Sequence, residues 1–360
     1  MIRLLRLAAL GVAVILGVAA GPASPAGGAT CQPPPDECQS PIRTDYYTVG
    51  IDGGQTKIRQ RLPRDARVLA VSPDAERIVY SIRVGSIFLA SISGQLERRI
   101  ALDPRAGARE ANWSRDGRKI ALIIDTGFSS RCGFLELWVV DADGSDLRRL
   151  TDCASTPSWS PNSRQLAFWT PKGGRQLLAV IEDAPGAEAR MLTPRSDGGL
   201  QPAAWSPDGR LIAYLEGLNL RVRVIQPDGR NDRVVALGTS VTWSPDGRRL
   251  VLNRYGRTRS RPEPHWALAI VELDGRVVGE IDRGDKHWPW AGTFIRVSWS
   301  AQGGIAYSRD PGRGSTQVFL VWPNGTHRRQ LTRDPGSEGV VGLMWISGQR
   351  RIFYTRPRCE

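Results

Sequence analysis

Trp205-Ser206-Pro207-Asp208-Gly209-Arg210, followed by the apolar stretch Leu211-Ile212-Ala213-Tyr214, is the clearest copy of a motif that recurs along this 360-residue chain. A near-identical copy runs from Trp243 to Leu252, and weaker copies begin at Trp113, Trp159, Trp299 and Trp345. A seventh copy begins at Val71, where valine replaces the tryptophan. Successive copies are 42, 46, 46, 38, 56 and 46 residues apart. Self-similarity at such a period predicts a repeat architecture.

Each copy has the features of one β-hairpin. In Ser-Pro-Asp-Gly, proline presets φ, aspartate tolerates the bend and glycine accepts a positive φ. A second hairpin lies between copies, and its turn is clearest at Asp141-Ala142-Asp143-Gly144. Asp-Gly or Asn-Gly pairs between apolar runs are strong hairpin signals, and they recur at Asp52-Gly53, Asp228-Gly229, Asp274-Gly275 and Asn324-Gly325. Two hairpins per repeat predict a ring of four-stranded antiparallel sheets, which is a β-propeller.

The order of the hairpins predicts how the ring closes. The second type comes first in the chain, at Tyr47–Leu62, and the tryptophan type comes last, at Leu343–Thr355. Together they should complete one shared blade, which removes exposed sheet edges. The expected fold is therefore an all-β, seven-bladed propeller. Six blades are the alternative, because the Val71 copy is imperfect and the interval from Trp243 to Trp299 is long.

These motifs resemble the TolB-like, WD-repeat-like β-propeller repeat family. The resemblance rests on Trp-Ser-Pro-Asp-Gly-Arg followed by Ile-Ala-Tyr, and on the run from Val139 to Thr151; it covers residues 45–356. It implies a propeller, but says little about function, because such propellers serve as binding scaffolds and also accompany catalytic domains in some peptidases. The motif is degraded at Ala301-Gln302 and at Ile346-Ser347-Gly348.

The first 30 residues have the layout of an export segment. A basic start, Met1–Arg6, precedes a 14-residue apolar run, Leu7–Ala20, and then small residues through Thr30. This pattern predicts a signal peptide over residues 1–30, a proline-rich linker over 31–44 and a propeller over 45–360. An uncleaved anchor and lipidation at Cys31 are the alternatives. The protein is expected to be periplasmic, secreted or associated with the cell envelope.

Export makes disulfide bonds possible for the five cysteines. Cys132 and Cys153 lie on the two arms of the hairpin that turns at Asp141–Gly144, so we expect them to form a disulfide. Cys31, Cys38 and Cys359 lie near the two termini, and their pairing stays open. Five free thiols are the alternative.

The net charge of +13 does not point to nucleic acid. Only four lysines accompany 45 arginines, and the arginines are spread along the chain without a dense block. This skew is typical of a compositional bias rather than a selected basic patch. We expect no nucleic-acid partner, membrane contact only through an N-terminal anchor, and a monomer.

Catalytic and metal-binding patterns are sparse. The chain has three histidines, His265, His287 and His327, and lacks a nucleophile elbow, a His-x-x-x-His pair and a phosphate-binding loop. Asp141–Asp146 spaces carboxylates somewhat like a calcium loop, but the downstream glutamate is missing and the repeat itself requires a turn there. We therefore expect no catalytic residues, no metal and no cofactor. The motif tryptophans are expected to pack between neighbouring blades.

The long connections all fall on the face opposite the Ser-Pro-Asp-Gly turns, which we call the loop face; the other is the turn face. Loops on a rigid scaffold are where binding usually occurs. The predicted loop insertions are Asp125–Gly133, Thr170–Arg175, Pro194–Pro202, Arg254–Trp266, Asp282–Phe294 and Asp310–Gln317. The two longest flank the hairpin Ala267–Ile281. Their aromatic and basic residues form the predicted binding site: Arg257, Arg259, His265, Trp266, Lys286, His287, Trp288 and Trp290. Alternatively, Trp288 and Trp290 only pin a long loop over the blade.

The sequence thus indicates an exported, non-enzymatic binding module for a protein or a cell-envelope polymer such as a polysaccharide. The alternative is a carbohydrate-active enzyme, such as a polysaccharide lyase on a propeller scaffold. It would require His265 and His287 to converge with a carboxylate, as around a metal ion.

Overall fold

A computed structural model describes residues 42–57, 62–63, 66–82, 85–93, 95–130, 133–193, 202–217, 221–258, 261–284, 297–309, 316–333, 340, 342–345 and 350–359. The chain divides into two compact units, Met1–Gln32 and Pro33–Glu360, and the first lies wholly outside the described residues. Over the described ranges, no helix is long and apolar enough to span a lipid bilayer.

Seven four-stranded antiparallel sheets form the blades of a β-propeller, as predicted. We number them in chain order. Blade I holds β3 (Ala66–Val71), β4 (Arg77–Ile82), β5 (Ser86–Ser91) and β6 (Leu96–Ala101); blade II holds β7 (Gly107–Trp113), β8 (Lys119–Ser130), β9 (Gly133–Asp141) and β10 (Arg148–Asp152); blade III holds β11 (Ser155–Trp159), β12 (Gln165–Lys172), β13 (Arg175–Glu182) and β14 (Arg190–Met191).

In every blade the strands are given from the inner strand, next to the channel, to the outer strand. Blade IV holds β15 (Ala204–Trp205), β16 (Ile212–Glu216), β17 (Arg221–Ile225) and β18 (Arg233–Leu237); blade V holds β19 (Val241–Trp243), β20 (Arg249–Thr258), β21 (Arg261–Glu272) and β22 (Val277–Gly284). Blade VI holds β23 (Val297–Trp299), β24 (Ile305–Arg309), β25 (Gln317–Val321) and β26 (Arg329–Gln330); blade VII holds β27 (Gly342–Trp345), β28 (Arg351–Cys359), β1 (Ile42–Gly50) and β2 (Gln55–Lys57).

Blade VII closes the ring with strands from both ends of the chain. Its order is β2-β1-β28-β27, and the β1–β28 ladder runs from Ile42 opposite Cys359 to Gly50 opposite Arg351. The predicted sharing of one blade by the two terminal hairpins is confirmed, and the count is seven rather than six. The first strand begins at Ile42, three residues before the expected propeller boundary at residue 45.

The serine of the recurring motif organises the turn. In blade IV, Ser206 Oγ donates to Asp208 Oδ1 (2.7 Å) and accepts a hydrogen bond from the Leu211 backbone N–H (2.9 Å). The equivalent serine bonds recur at Ser72, Ser114, Ser160 and Ser244. All five serines are buried, so their hydroxyls satisfy backbone groups that water cannot reach. The hydrogen bond that Asp208 accepts from Ser206 also holds the pKa of the Asp208 carboxyl below its ordinary value.

One hydrophobic cluster fills each of the seven joints between neighbouring blades. The cluster at the I/II joint, for example, packs Val79 and Leu89 of blade I against Ile120 and Leu122 of blade II. The cluster at the VII/I joint packs Phe353 against Ile78 and Tyr80. Apolar burial therefore holds every pair of blades together, in keeping with its role as the dominant favourable term in folding.

Three connections predicted as loop insertions are instead extended hairpins. In blade V, the β20–β21 ladder continues from Arg254 opposite Ala267 to Thr258 opposite Arg261. Asp125–Gly133 and Thr170–Arg175 are largely strand for the same reason. Two arms of similar length can pair across a short turn, and pairing satisfies backbone N–H and C=O groups that a loop would leave to water.

The predicted Cys132–Cys153 disulfide stays a prediction, because Cys132 lies outside the described residues. The two arms of this hairpin, β9 and β10, are paired, with a register shift between Arg149 and Thr151. Just beyond β10, the Ala154 N–H donates to the Leu135 carbonyl of β9 (3.2 Å). Cys31 and Cys38 also lie outside the described ranges, whereas Cys359 ends β28 opposite Ile42.

Candidate binding site at the channel mouth

The motif tryptophans connect the inner strands of neighbouring blades around the central channel. The Trp159 indole N–H donates to the Asn112 carbonyl (3.0 Å), and those of Trp205, Trp243 and Trp345 donate to the carbonyls of Ser158, Ala204 and Ser298 (3.1, 2.8 and 3.0 Å). The acceptor is always the residue just before the motif tryptophan of the preceding blade. We call such side-chain-to-carbonyl bonds channel-wall ties.

A second set of ties runs in the opposite direction. The side chain just before the motif tryptophan donates to a carbonyl of the following blade: Asn112 to Pro157 (3.0 Å), Ser158 to Ala203 (2.5 Å) and Thr242 to Val297 (3.1 Å). The II/III and III/IV joints therefore carry two ties each. A net stabilisation of about 1 kcal/mol per intramolecular hydrogen bond makes these ties a small addition to the apolar packing of each joint.

Trp299 departs from the pattern for a reason visible in its turn. Trp299 is paired with Ile305, whereas Trp205 is paired with Ile212, so the blade VI turn is one residue shorter. The Trp299 indole N–H donates to the Gly303 carbonyl of its own turn (3.2 Å) instead of crossing to blade V. The degraded Ala301-Gln302 sequence is thus a true difference in turn length.

Blade I has no channel-wall tie on either side among the described residues. Val71 has no indole with which to reach the Met344 carbonyl of blade VII, and Met344 and Ala70 have no side-chain donors. Trp113 has an indole, but its Nε1 is buried without a hydrogen-bond partner. Its ring instead lies under the Arg77 guanidinium, whose Cζ is 5.0 Å from the ring centroid.

A cavity of about 470 Å³ opens where these ties are missing. It is lined by the inner strands and turns of four consecutive blades, VI, VII, I and II: Leu69, Ala70, Val71, Pro73, Ala111, Asn112, Trp113, Arg115, Ser298, Trp299, Ser300, Ala301, Gln302, Met344 and Trp345. The volume falls within the range of about 300–1,000 Å³ typical of ligand pockets. The cavity lies at the turn-face end of the channel, because its lining includes residues of three tryptophan-motif turns.

The cavity combines apolar walls with a polar rim. Val71 and Trp113 are buried in its wall, whereas Arg115, Ala301 and Gln302 are exposed. Arg115 occupies the turn position that holds Pro73, Pro161, Pro207 and Pro245 in other blades. Such a site can accept an apolar or aromatic group and place a negative charge beside a guanidinium.

The predicted loop-face site is mostly outside the described residues. Five of its residues lie outside the described ranges: Arg259, Lys286, His287, Trp288 and Trp290. Arg257 and His265 are described only as strand residues of β20 and β21. The site therefore stays a prediction.

Trp266 is half-buried and packs against the cluster at the V/VI joint. Its ring lies under Arg309, whose Cζ is 5.5 Å from the ring centroid. Arg309 and Arg328 both bind the buried carboxylate of Asp282 (2.9 and 2.7 Å), which also accepts a hydrogen bond from Tyr307 (2.8 Å). Burial, and then the Asp282 charge, raise the pKa of the Tyr307 hydroxyl. This network binds blades V and VI to each other, and Trp266 forms part of that packing.

No group of three or more His, Cys, Asp or Glu side chains is arranged to hold a metal ion within the described part of the chain. Asp141–Gly144 forms the expected hairpin turn, closed by a hydrogen bond from the Gly144 N–H to the Asp141 carbonyl (2.8 Å). The enzyme alternative requires His265 and His287 to converge, and His287 lies outside the described residues, so this requirement is not tested.

The interpretation of the motif tryptophans as packing residues is confirmed, and four of the six also donate a tie to the preceding blade. Trp322 lies outside the motif, follows β25 and is 38% exposed. The channel-mouth cavity was missed by sequence reasoning. Its signal was present in the departures from the motif at Val71, Arg115 and Ala301-Gln302, which the ring brings together.

The geometry defines a closed seven-bladed propeller with a cavity at one mouth of its channel. The sequence pattern of the TolB beta propeller domain matches residues 70–301, well over half of the chain. The chain therefore belongs to the TolB beta propeller family, as the repeat motif suggested.

Two curated relatives match parts of the chain. A protein TolB homolog of Chlorobium luteolum is 31% identical over 139 residues, which is 36% of this chain and 31% of that protein. Dipeptidyl-peptidase 5 of Porphyromonas endodontalis is 32% identical over 89 residues, or 24% of this chain and 12% of that enzyme. The matches therefore span under a third of each relative's length.

Solved structures share the fold at low sequence identity. A putative TolB from Agrobacterium tumefaciens has a TM-score of 0.51 at 14% identity, covering 88% of this chain and 99% of that one. The β-propeller domain of the trilobed protease from Pyrococcus furiosus has a TM-score of 0.53 at 15% identity, covering 81% and 97%. That domain is described as having an open velcro topology, whereas blade VII here is closed by the β1–β28 ladder.

Proposed function

We propose that this protein is an exported, non-enzymatic binding module whose partner is another protein of the cell envelope or extracellular space, docked at the channel mouth. The observation that carries the proposal is the cavity lined by blades VI, VII, I and II. It lies where several repeats depart from the common motif. A turn that only closes a blade needs no such departure, so these positions are the strongest candidates for function.

Membership of the TolB beta propeller family and the export-like layout of residues 1–30 support an envelope location. A closed propeller presents a rigid, concave surface at the channel mouth, which suits protein recognition. The carbohydrate-active alternative has no observation in its favour among the described residues. A cell-envelope polysaccharide as the partner is instead an outcome that the experiment below can detect.

The experiment is photo-crosslinking from three exposed positions of the full-length protein in cells of its source organism. A crosslinking amino acid at Gln302 reports on the channel mouth, and one at Arg283 lies at the end of β22, next to the predicted loop-face site. Lys172, at the end of β12, is the matched control on the loop face of blade III. We expect one defined protein adduct from Gln302 and none from Lys172.

The other outcomes separate the alternatives. An adduct from Arg283 alone would place the partner on the loop face, and Trp288→Ala with Trp290→Ala should then weaken binding by about 1–3 kcal/mol. A protease-resistant adduct that stains for carbohydrate would identify a polysaccharide partner. The proposal of a protein-binding module fails if no position gives a specific adduct.

A further inference from the structure

The channel wall lacks one indole of a ring of seven, and the gap opens into the cavity. Six blades present a motif tryptophan, and the seventh presents Val71. Four of the six indoles donate to the carbonyl that precedes the motif tryptophan of the preceding blade. At the VII/I joint that carbonyl belongs to Met344, and both Met344 and Val71 line the cavity. The position vacated by the seventh indole is therefore accessible from the channel mouth.

We propose that a tryptophan side chain of the protein partner, carried on an extended acidic segment, enters this gap and takes the place of the missing seventh indole. The proposal rests on the proposed function and adds to it the chemistry of the partner. The incoming ring lies against Val71 and Trp345, and its N–H donates to the Met344 carbonyl, as Trp345 donates to Ser298 (3.0 Å). Aromatic rings bury large areas and gain further from contact with other rings, so one such anchor can dominate an interface.

The rim of the cavity supplies the preference for an acidic segment. Arg115 is exposed at the mouth in the place of a motif proline, and no hydrogen bond or ion pair engages its side chain among the described residues. An arginine can bind a carboxylate through two parallel hydrogen bonds. A glutamate next to the anchoring tryptophan would meet this guanidinium. The cavity also exceeds the space that one indole needs, which leaves room for the flanking backbone.

The test uses a blocked, fluorescently labelled heptapeptide with a central tryptophan between two glutamates, titrated into the full-length protein and followed by anisotropy. Matched peptides carry phenylalanine or alanine at the centre. We expect the phenylalanine peptide to bind about fivefold more weakly, because it lacks one hydrogen-bond donor. The alanine peptide should bind at least tenfold more weakly than the tryptophan peptide. Equal binding of the tryptophan and alanine peptides would overturn the proposal.

Val71→Trp supplies the seventh indole from the chain itself. It should raise the denaturation midpoint and reduce binding of the tryptophan peptide at least tenfold. Leu237→Trp adds an indole on the exposed outer strand of blade IV and should leave peptide binding unchanged. Unchanged binding to a folded Val71→Trp variant would overturn the proposal.

A second variant keeps the test decisive if Val71→Trp does not fold. Arg115→Ser should weaken binding of the acidic peptide severalfold, whereas Arg118→Ser, in the same turn but outside the cavity lining, should not. Equal effects of the two changes would contradict the role of Arg115.

An adduct from Gln302 that persists in Val71→Trp would remove the indole proposal and leave the proposed function standing. No adduct with any partner would remove the proposed function even if the peptide binds.

Discussion

The two arcs of the channel wall differ in how neighbouring blades are joined. From blade II to blade V, every joint has an indole tie, and the first two joints have a second tie from Asn112 or Ser158. On either side of blade I, the described residues provide none. Yet a buried hydrophobic cluster fills the joints of both arcs. The arcs therefore share their apolar packing and differ in their inner-strand ties; at the I/II joint, Arg77 instead donates to the carbonyls of Ala142 and Gly117 (3.0 and 3.4 Å).

This difference shows which features a repeat needs for folding and which it can vary. Apolar packing and the serine-centred turn are present in both arcs, as Ser72 and Ser206 make the same bonds. The ties can be lost in one arc because each contributes only about 1 kcal/mol, against the burial of several large side chains. Their loss leaves a cavity, and the sequence at its rim departs from the motif.

The largest expected effect comes from removing the closure of the ring in blade VII, which has a tie to blade VI and none to blade I among the described residues. Deleting residues 343–360 removes the β27–β28 hairpin and leaves β1 without the nine-residue ladder that it forms with β28. The exposed edges and uncovered clusters should make the product aggregate or unfold. Size-exclusion chromatography and circular dichroism test this, with a chain lacking only Glu360 as the control. A monomeric deletion product with the native spectrum would contradict the closure.

A smaller effect should separate the two arcs directly. Trp243 and Trp113 are each 6% exposed, but Trp243 donates to the Ala204 carbonyl (2.8 Å) and the Trp113 Nε1 has no partner. Phenylalanine removes the N–H from both. Trp243→Phe should therefore cost about 1 kcal/mol more than Trp113→Phe in urea-unfolding free energy. Arg77 interacts less strongly with a phenylalanine ring than with an indole, so Trp113→Phe also loses some stability. This loss makes the difference between the two variants smaller but does not reverse it.

The matched size change makes this pair of variants informative. Both lose similar apolar contacts, so only the hydrogen bond distinguishes them. If the two variants lose equal stability, or if Trp113→Phe loses more, the ties do not contribute to stability as proposed and the arcs are energetically alike.

The fold could be predicted from the sequence because its determinants are local and repeated. Ser-Pro-Asp-Gly and Asp-Gly specify turns at fixed spacing, and the offset of the two hairpin types predicts the closure. The extent of the strands was less predictable. Arg254–Trp266 contains charged residues and two prolines, yet its two arms pair up to Thr258 and Arg261 because a partner of similar length lies opposite.

The candidate site could not be predicted because it depends on neighbours across the closed ring. Val71 and Trp345 lie near opposite ends of the described chain, and only the closure of blade VII brings their strands to one cavity. The degraded motifs were visible in the sequence, but each one alone is compatible with drift of a single repeat. The predicted loop-face site rests on the aromatic and basic residues of two long insertions, which can be identified without knowing how the ring closes.

The smallest expected effect concerns the turn, which should behave alike in both arcs. Ala75 and Ser163 occupy the turn position that is glycine at residues 117, 209 and 247, and both have a left-handed backbone with φ of 58°. A side chain in this region costs roughly 1–2 kcal/mol, offset partly by the greater entropy that glycine loses on folding. Ala75→Gly should therefore raise the unfolding free energy by about 0.5 kcal/mol. Ser163→Gly should gain less, because Ser163 Oγ accepts a hydrogen bond from the Asp116 N–H (3.3 Å). Urea unfolding of both variants measures this, and a loss of stability in Ala75→Gly would mean that strain in the blade I turn is relieved in some other way.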